Sequence, residues 1–145
     1  MTIRKILKDT RGMTLIEIMV VITILGLIAT IVTVNVMGRL EKARHDTTVT
    51  QIMSVEQALE QYRLDNGGYP TTEQGLQSLV TAPSFGKTAS RFPSEGYLKK
   101  VPKDAWGEEF LYSSPGVNGH PVEIVSRGPD KTEGTDDDIK NWEIE

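Results

Sequence analysis

Two stretches of this 145-residue chain carry side chains that could do chemistry. The first is Arg11-Gly12-Met13-Thr14-Leu15-Ile16-Glu17, a small-residue cleavage point set directly before an apolar run that carries one acid. A charged side chain at mid-bilayer costs roughly 2.5–3.5 kcal/mol on insertion scales, and less near the edge, so an acid in such a run has a partner or a function. One reading has Glu17 reaching back to the membrane interface or to Arg11. In the other, cleavage leaves a positive α-amino group on Met13, which neutralises Glu17 of a neighbour in a packed array of identical helices. The second stretch is Asp130-Lys131-Thr132-Glu133-Gly134-Thr135-Asp136-Asp137-Asp138, with five acids and one Lys in nine residues. Such density repels itself unless a cation or solvent intervenes. Hard carboxylate and carbonyl oxygens suit Ca²⁺, which takes about six to eight of them. The loop is not an EF-hand, because Thr132 and Gly134 stand at that pattern's third and fifth positions and no Glu closes twelve residues. A solvated acidic loop is the competing reading, and composition alone does not choose.

The elements that must position these residues follow from periodicity. Residues 13–34 are apolar except for Glu17 and a few Thr. At the helical rise, a segment of this length covers about the ~30 Å of a bilayer's hydrocarbon core. Arg4, Lys5, Lys8 and Arg11 stand before it against the single Asp9, so the positive-inside bias keeps the start cytoplasmic and sends the C-terminal part across. A secretory signal would be followed by an A-x-A-type site. None follows Val34, and the helical pattern reads on, so the apolar run is expected to be retained. Beyond it, Ile52, Val55, Leu59 and Tyr62 recur at steps of three and four, with Glu56, Glu60 and Arg63 off that stripe. Asn66-Gly67-Gly68 supplies a C-terminal cap and Pro70 prevents resumption. The spacing thus predicts one helix over residues 13–65, about 80 Å long, whose second half packs on a soluble domain through one stripe.

Thr71 and Gln74 have capping-box spacing before Leu76 and Leu79, which predicts a short helix ending before Pro83. Residues 84–95 read as a loop. Short strands are expected at residues 110–112 and 122–125, separated by the turn-rich Ser114-Pro115-Gly116-Val117-Asn118-Gly119, giving a small antiparallel sheet against the long helix.

Composition limits what such a chain can be. With a leader and a span set aside, one small soluble domain fits and a large enzyme core does not. Removing residues 1–12 takes away four basic side chains and one acidic one and moves the formal charge from −4 to −7, against a nucleic-acid partner. There is no Cys to staple an extracytoplasmic domain, which commonly needs a disulfide or a metal. His45 and His120 are the only imidazoles, and neither stands near a Ser or acid pattern of nucleophilic catalysis, so no catalytic residue is expected. Gly26-x-x-x-Thr30 could allow close helix contact, but one such pair is a weak signal.

Arg11-Gly12-Met13, the apolar run and Glu17 resemble the class III signal of the type IV pilin superfamily, in which a prepilin peptidase cuts after a Gly and methylates the new amino terminus. The resemblance implies a cut between Gly12 and Met13, N-methylation of Met13, and Glu17 as the fifth residue of the mature chain. Further along, Tyr69-Pro70-Thr71-Thr72-Glu73-Gln74-Gly75-Leu76, Asp104-Ala105-Trp106-Gly107, Ser126-Arg127-Gly128-Pro129-Asp130 and Asp137-Asp138-Ile139-Lys140-Asn141-Trp142 are similar to the major pseudopilins of type II secretion systems. Each motif alone is weak; their order and spacing together cover nearly the whole chain. Three positions depart from that pattern: Met13 for the usual Phe, Ala105 for the usual Pro, and Val34 where a helix-bending Pro is common.

What the resemblance implies is an α+β pilin-like fold: one long N-terminal helix packed on a small antiparallel sheet with a C-terminal metal-binding loop. Residues 1–12 are then a cleaved cytoplasmic leader, 13–34 a transmembrane and polymerisation helix, and 35–145 a periplasmic globular domain. The implied Ca²⁺ ligands are the side chains of Asp130, Asp137 and Asp138 and the backbone carbonyls of Arg127, Thr132 and Thr135. The implied function is structural, not enzymatic: a subunit held in the bacterial inner membrane, then polymerised into a periplasmic pseudopilus that helps export folded proteins. Expected partners are further copies of the chain, a prepilin peptidase, minor pseudopilins, the inner-membrane assembly platform, and membrane lipid before assembly. A type IV pilin for adhesion or motility is the alternative within the class, though such pilins usually carry a disulfide-closed C-terminal region. A non-polymerising single-span calcium-binding protein is the alternative outside it, and it needs neither Gly12 nor Glu17.

Overall fold

Side chains that repeat at helical spacing from Ile52 to Tyr62 can be buried together only if the chain stays helical across them, and it does. A computed structural model of the chain describes residues 12–144, excepting the side chains of residues 31–35. Arg4, Lys5, Lys8, Asp9 and Arg11 of the expected leader, and the side chain of Val34, lie outside the described residues. Helix α1 runs Leu15–Asn66 and is unbroken at Val34. The chain divides into two units, Met1–Leu40 and Glu41–Glu145, and α1 contributes to both.

In the first unit Leu15, Ile16, Met19, Val20, Ile24, Leu25, Leu27 and Ile28 are all exposed. The hydroxyls of Thr23 and Thr30 donate to the carbonyls of Met19 and Gly26, at 2.7 and 3.0 Å, so these threonines satisfy themselves within the helix. Among the described residues no helix is long and apolar enough to cross a membrane. The side chains of residues 31–35, which complete the apolar run in the sequence, are outside that description.

In the second unit, Ile52, Val55, Leu59 and Tyr62 are buried, as the stripe predicts, and form the core with Leu76, Leu79, Phe110, Val122, Ile124 and Ile139. The helix ends where Gly67 takes φ 74 and its N–H donates to the Arg63 carbonyl at 2.7 Å. Thr71 and Gln74 form the reciprocal box, Thr71 N–H to Gln74 Oε1 at 3.0 Å and Gln74 N–H to Thr71 Oγ1 at 3.2 Å. It closes a turn, however, because Gly75 (φ 63) follows before the helix, which is a single 3₁₀ turn, Leu76–Leu79.

The sheet has three strands, β1 (Leu111–Ser113), β2 (Glu123–Ser126) and β3 (Ile139–Lys140), in that order and antiparallel throughout. β1 and β2 lie within one residue of expectation. β3 is an addition: two residues give no period to read, and Val125 and Ser126 pair with Lys140 and Ile139 only once the acidic loop has brought them back. Residues 84–95 are irregular, as expected. They are held down by the Gln74 amide, which donates to the carbonyls of Phe85 (2.7 Å) and Lys87 (3.2 Å), and by Asn66 Oδ1, which accepts from Arg91 N–H at 3.0 Å.

Two polar side chains in this unit are fixed by burial. Asp104 is buried, with Oδ1 accepting from Trp106 N–H (3.0 Å) and Glu108 N–H (2.8 Å) and Oδ2 from the Ser126 hydroxyl (2.7 Å). Tyr112 donates its hydroxyl to the Pro70 carbonyl at 2.8 Å, and burial pushes that hydroxyl up to about 12. The folded state therefore prefers neutral Tyr112. Its contribution is complete below the unfolded value near ~10 and is lost as pH rises through about 12. Alkaline absorbance titration should show one tyrosine ionising late together with loss of fold, and Tyr112→Phe should remove that late component.

Candidate functional site

The N-terminal end is built by one local device. Thr14 caps α1: its hydroxyl accepts from Glu17 N–H at 3.3 Å, while Glu17 Oε2 accepts from Thr14 N–H at 2.8 Å and from the Thr14 hydroxyl at 3.0 Å. Glu17 is thus satisfied within its own chain. The acid occupies the fourth position of a Thr-x-x-Glu capping box, where the helix's free N–H groups favour a negative charge. The cap also sets where the helix begins. Gly12 and Met13 precede it outside the helix, both exposed, and among the described residues nothing lies within 4 Å of where a Cβ on Gly12 would stand. The peptide between them is in open chain.

The acidic loop is built by tertiary contacts. Glu108, placed by the Asp104 turn, pairs with Lys131 at 2.8 Å and Arg127 at 3.2 Å. The Lys131 hydrogen bond is the main cause that holds its carboxyl below the ordinary range. Lys131 sits at φ 60, and its neighbour Asp130 accepts Thr132 N–H on Oδ1 at 2.8 Å. Asp130 N–H donates to Asp137 Oδ2 at 3.2 Å, and Thr135 donates its hydroxyl to Asp137 Oδ1 at 2.6 Å. The Thr135 hydroxyl first, then the Asp130 N–H, lower the Asp137 carboxyl. Asp138 accepts Gly134 N–H on Oδ2 at 2.8 Å, whereas its Oδ1 is buried without a hydrogen-bond partner among the described residues.

The loop therefore brings Asp130, Asp137 and Asp138 into one hydrogen-bonded turn. Among the described residues, no three acidic, His or Cys side chains converge closely enough to hold a metal ion between them. Of the expected carbonyls, that of Thr132 lies 3.0 Å from the Thr135 hydroxyl, whose one proton goes to Asp137, and that of Thr135 accepts from Asp138 N–H (3.3 Å). Each carbonyl keeps a second lone pair. The donor set consists of hard oxygens, and the partnerless buried Oδ1 of Asp138 is an atom that a bound cation would satisfy, so the residues fit Ca²⁺.

Of the two histidines, His45 borders a groove with the acidic loop and His120 does not. His45 is exposed, 3.6 Å from Asp46, and His120 stacks on Trp142 with ring centres 5.3 Å apart.

Against known families, residues 35–142 match type II secretion system (T2SS) protein G, and residues 7–33 match the prokaryotic N-terminal methylation motif. The chain belongs to the type II secretion system protein G family. Its relatives include the type II secretion system core protein G of Klebsiella pneumoniae, 50% identical over 92% of this chain and 95% of the relative. That of Klebsiella michiganensis is 48% identical over 94% and 96%. The crystal structure of the major pseudopilin from the type 2 secretion system of enterohaemorrhagic Escherichia coli superposes with a TM-score of 0.67 at 39% identity, covering 74% of this chain and 94% of that one. The long helix with its small antiparallel sheet is thus the fold of the protein G family.

Three residues of this family member escaped the sequence reading. Asp104 and Glu108 act on residues about twenty positions away, which leaves no local signal. Gly128 lay inside a motif but had no stated role. At φ 60 it passes so close to the loop that a Cβ would stand 2.3 Å from the Asp137 carbonyl oxygen. Gly134 also has positive φ, 88, but a Cβ there meets nothing within 4 Å. Both Ala variants carry the left-handed backbone cost of about 1–2 kcal/mol, and only Gly128→Ala adds the clash. Urea denaturation should therefore rank Gly128→Ala clearly below Gly134→Ala, which in turn lies a little below the parent.

Proposed function

We propose that the chain is the structural subunit of a type II secretion pseudopilus: it is stored in the inner membrane, cleaved after Gly12, methylated on Met13 and polymerised in the periplasm. The observation that carries this reading is the continuous order of an N-terminal methylation motif over residues 7–33 and a protein G domain over residues 35–142, joined by one helix, Leu15–Asn66. A prepilin peptidase fits the N-terminal end, because the Thr14–Glu17 cap leaves Gly12 and Met13 outside the helix. Minor pseudopilins and an inner-membrane assembly platform complete the partners. The exposed apolar side chains before Thr30 suit lipid in the stored subunit and neighbouring helices in the filament.

Intact mass spectrometry of the membrane-extracted chain should give a product that begins with N-methyl-Met13. A product starting after Val34, or an uncut chain in secreting cells, overturns the reading. Glu17→Ala should still insert and still be cut, yet assemble poorly, because a neighbour's α-amino group loses its counter-charge. Thr14→Val tests the alternative cause: it weakens the cap and keeps the acid, so electron microscopy should find filaments with it and few with Glu17→Ala.

The acidic loop is proposed to hold Ca²⁺ through the carboxylates of Asp130, Asp137 and Asp138 and the carbonyls of Arg127, Thr132 and Thr135. Support comes from the hard-oxygen donors and the partnerless Asp138 Oδ1. A cation bound only by the folded chain stabilises it by about 2.7 kcal/mol at one hundred times Kd. Chelation should then lower Tm. Asp130→Ala and Asp137→Ala should show the same loss and no chelator response, while Asp136→Ala melts like the parent. Equal calorimetric traces with calcium and with chelator would refute the site.

A further inference from the structure

The unit Glu41–Glu145 carries unsatisfied charge of opposite sign at separate places along α1. At the C-terminal end of the helix, Arg91 is tied to Asn66 by a 3.0 Å hydrogen bond. The Lys87 ammonium lies 3.7 Å from where a Cβ on Gly67 would stand. Both side chains are exposed, and among the described residues neither forms an ion pair. Lys42, Lys99 and Lys100 are also unpaired, but the contacts fix only Lys87 and Arg91 at this end.

The acidic loop lies by the other end of the same segment. There Asp136, Asp137 and Asp138 border a groove of about 320 Å³ with Glu41, Lys42 and His45 of α1. The loop's lone Lys131 is turned onto Glu108. Glu133 and Asp136, both exposed, are left with no ion pair or side-chain hydrogen bond among the described residues, and neither belongs to the proposed Ca²⁺ ligands. From His45 to Asn66 the helix rises about 30 Å. That is several times the ~8 Å screening length at physiological salt, so the two ends do not neutralise each other within one chain.

We propose that Lys87 and Arg91 form a contact for a second copy of this chain and receive Glu133 and Asp136 of its acidic loop. The contact rests on the polymer reading above and names one of its interfaces. Because the basic patch and the acidic loop lie at separate places on the unit, one copy's patch can meet the next copy's loop head-to-tail, and a head-to-tail contact that does not close into a ring propagates as a filament.

The absence of cysteine in the chain makes the test clean. A chain carrying Arg91→Cys and Asp136→Cys together cannot bridge internally, because a disulfide needs Cα atoms within about 7 Å. Oxidation of membranes from assembling cells should give a ladder of covalent oligomers with the double variant and none with either single variant. Reversing the basic pair (Lys87→Glu with Arg91→Glu) or the acidic pair (Glu133→Lys with Asp136→Lys) should cut filament yield at least about tenfold, since like charges then meet. The chain carrying all four changes should recover. Circular dichroism melting equal to the parent assigns those losses to contact and not to folding. Filaments from the parent chain with no ladder from the double variant, or with normal assembly of either reversed pair, overturn the contact alone. Absence of filaments from the parent overturns the polymer reading and the contact with it.

Discussion

The carboxylate of Asp104 is buried, and each hydrogen bond it accepts fixes a different piece of the globular unit. Trp106 and Glu108 N–H groups close a turn on Oδ1, and the Ser126 hydroxyl brings the end of β2 to Oδ2. Within the same turn, Ala105 N–H donates to the Thr48 hydroxyl of α1 at 3.1 Å, which ties the turn to the helix. Glu108, held in place by that turn, then reaches Arg127 and Lys131 at the start of the acidic loop. Helix, sheet and loop therefore meet through one buried side chain. A buried carboxylate left without donors costs several kcal/mol, so these pieces are constrained to form together.

That constraint matters because the hydrophobic core is small. It consists of one stripe of α1, a 3₁₀ turn and Phe110, Val122, Ile124 and Ile139 in or beside the short strands. With no Cys available, the C-terminal loop is fastened by charge: Glu108 holds its beginning, and backbone N–H groups of the loop are capped by Asp130, Asp137 and Asp138. Loop-closure entropy is offset by many modest polar contacts where a disulfide would have made one strong link.

The features legible in the sequence are those whose cause is local. The buried stripe from Ile52 to Tyr62, the stop at Asn66-Gly67 and the Thr71–Gln74 box each depend on residues three or four apart, and each lies where the periodicity puts it. Chain order and spacing also sufficed for the family, because the protein G motifs are spread along most of the chain. What escaped depends on long-range closure. β3 pairs only after the acidic loop turns back, and Glu108 meets Lys131 across more than twenty residues. Glu17 is instructive in the opposite sense. Thr14-Leu15-Ile16-Glu17 has the same capping-box spacing as Thr71–Gln74, so the sequence carries a local signal for the cap beside the membrane cost of the acid.

The segment 84–95 is held by few fasteners. Its backbone is tied through the Gln74 amide at Phe85 and Lys87 and through Asn66 and the Tyr97 hydroxyl at Arg91, and Ala89 and Phe92 pack against the core, while Phe85 is exposed. Lengthening such a loop costs only about 0.6 kcal/mol per doubling, so insertions between the fasteners leave the fold's stability nearly unchanged. The segment is in effect an adjustable spacer: its length between the fasteners can change while the Lys87 and Arg91 charges, the helix stripe, the Asp104 turn and the acidic loop remain fixed.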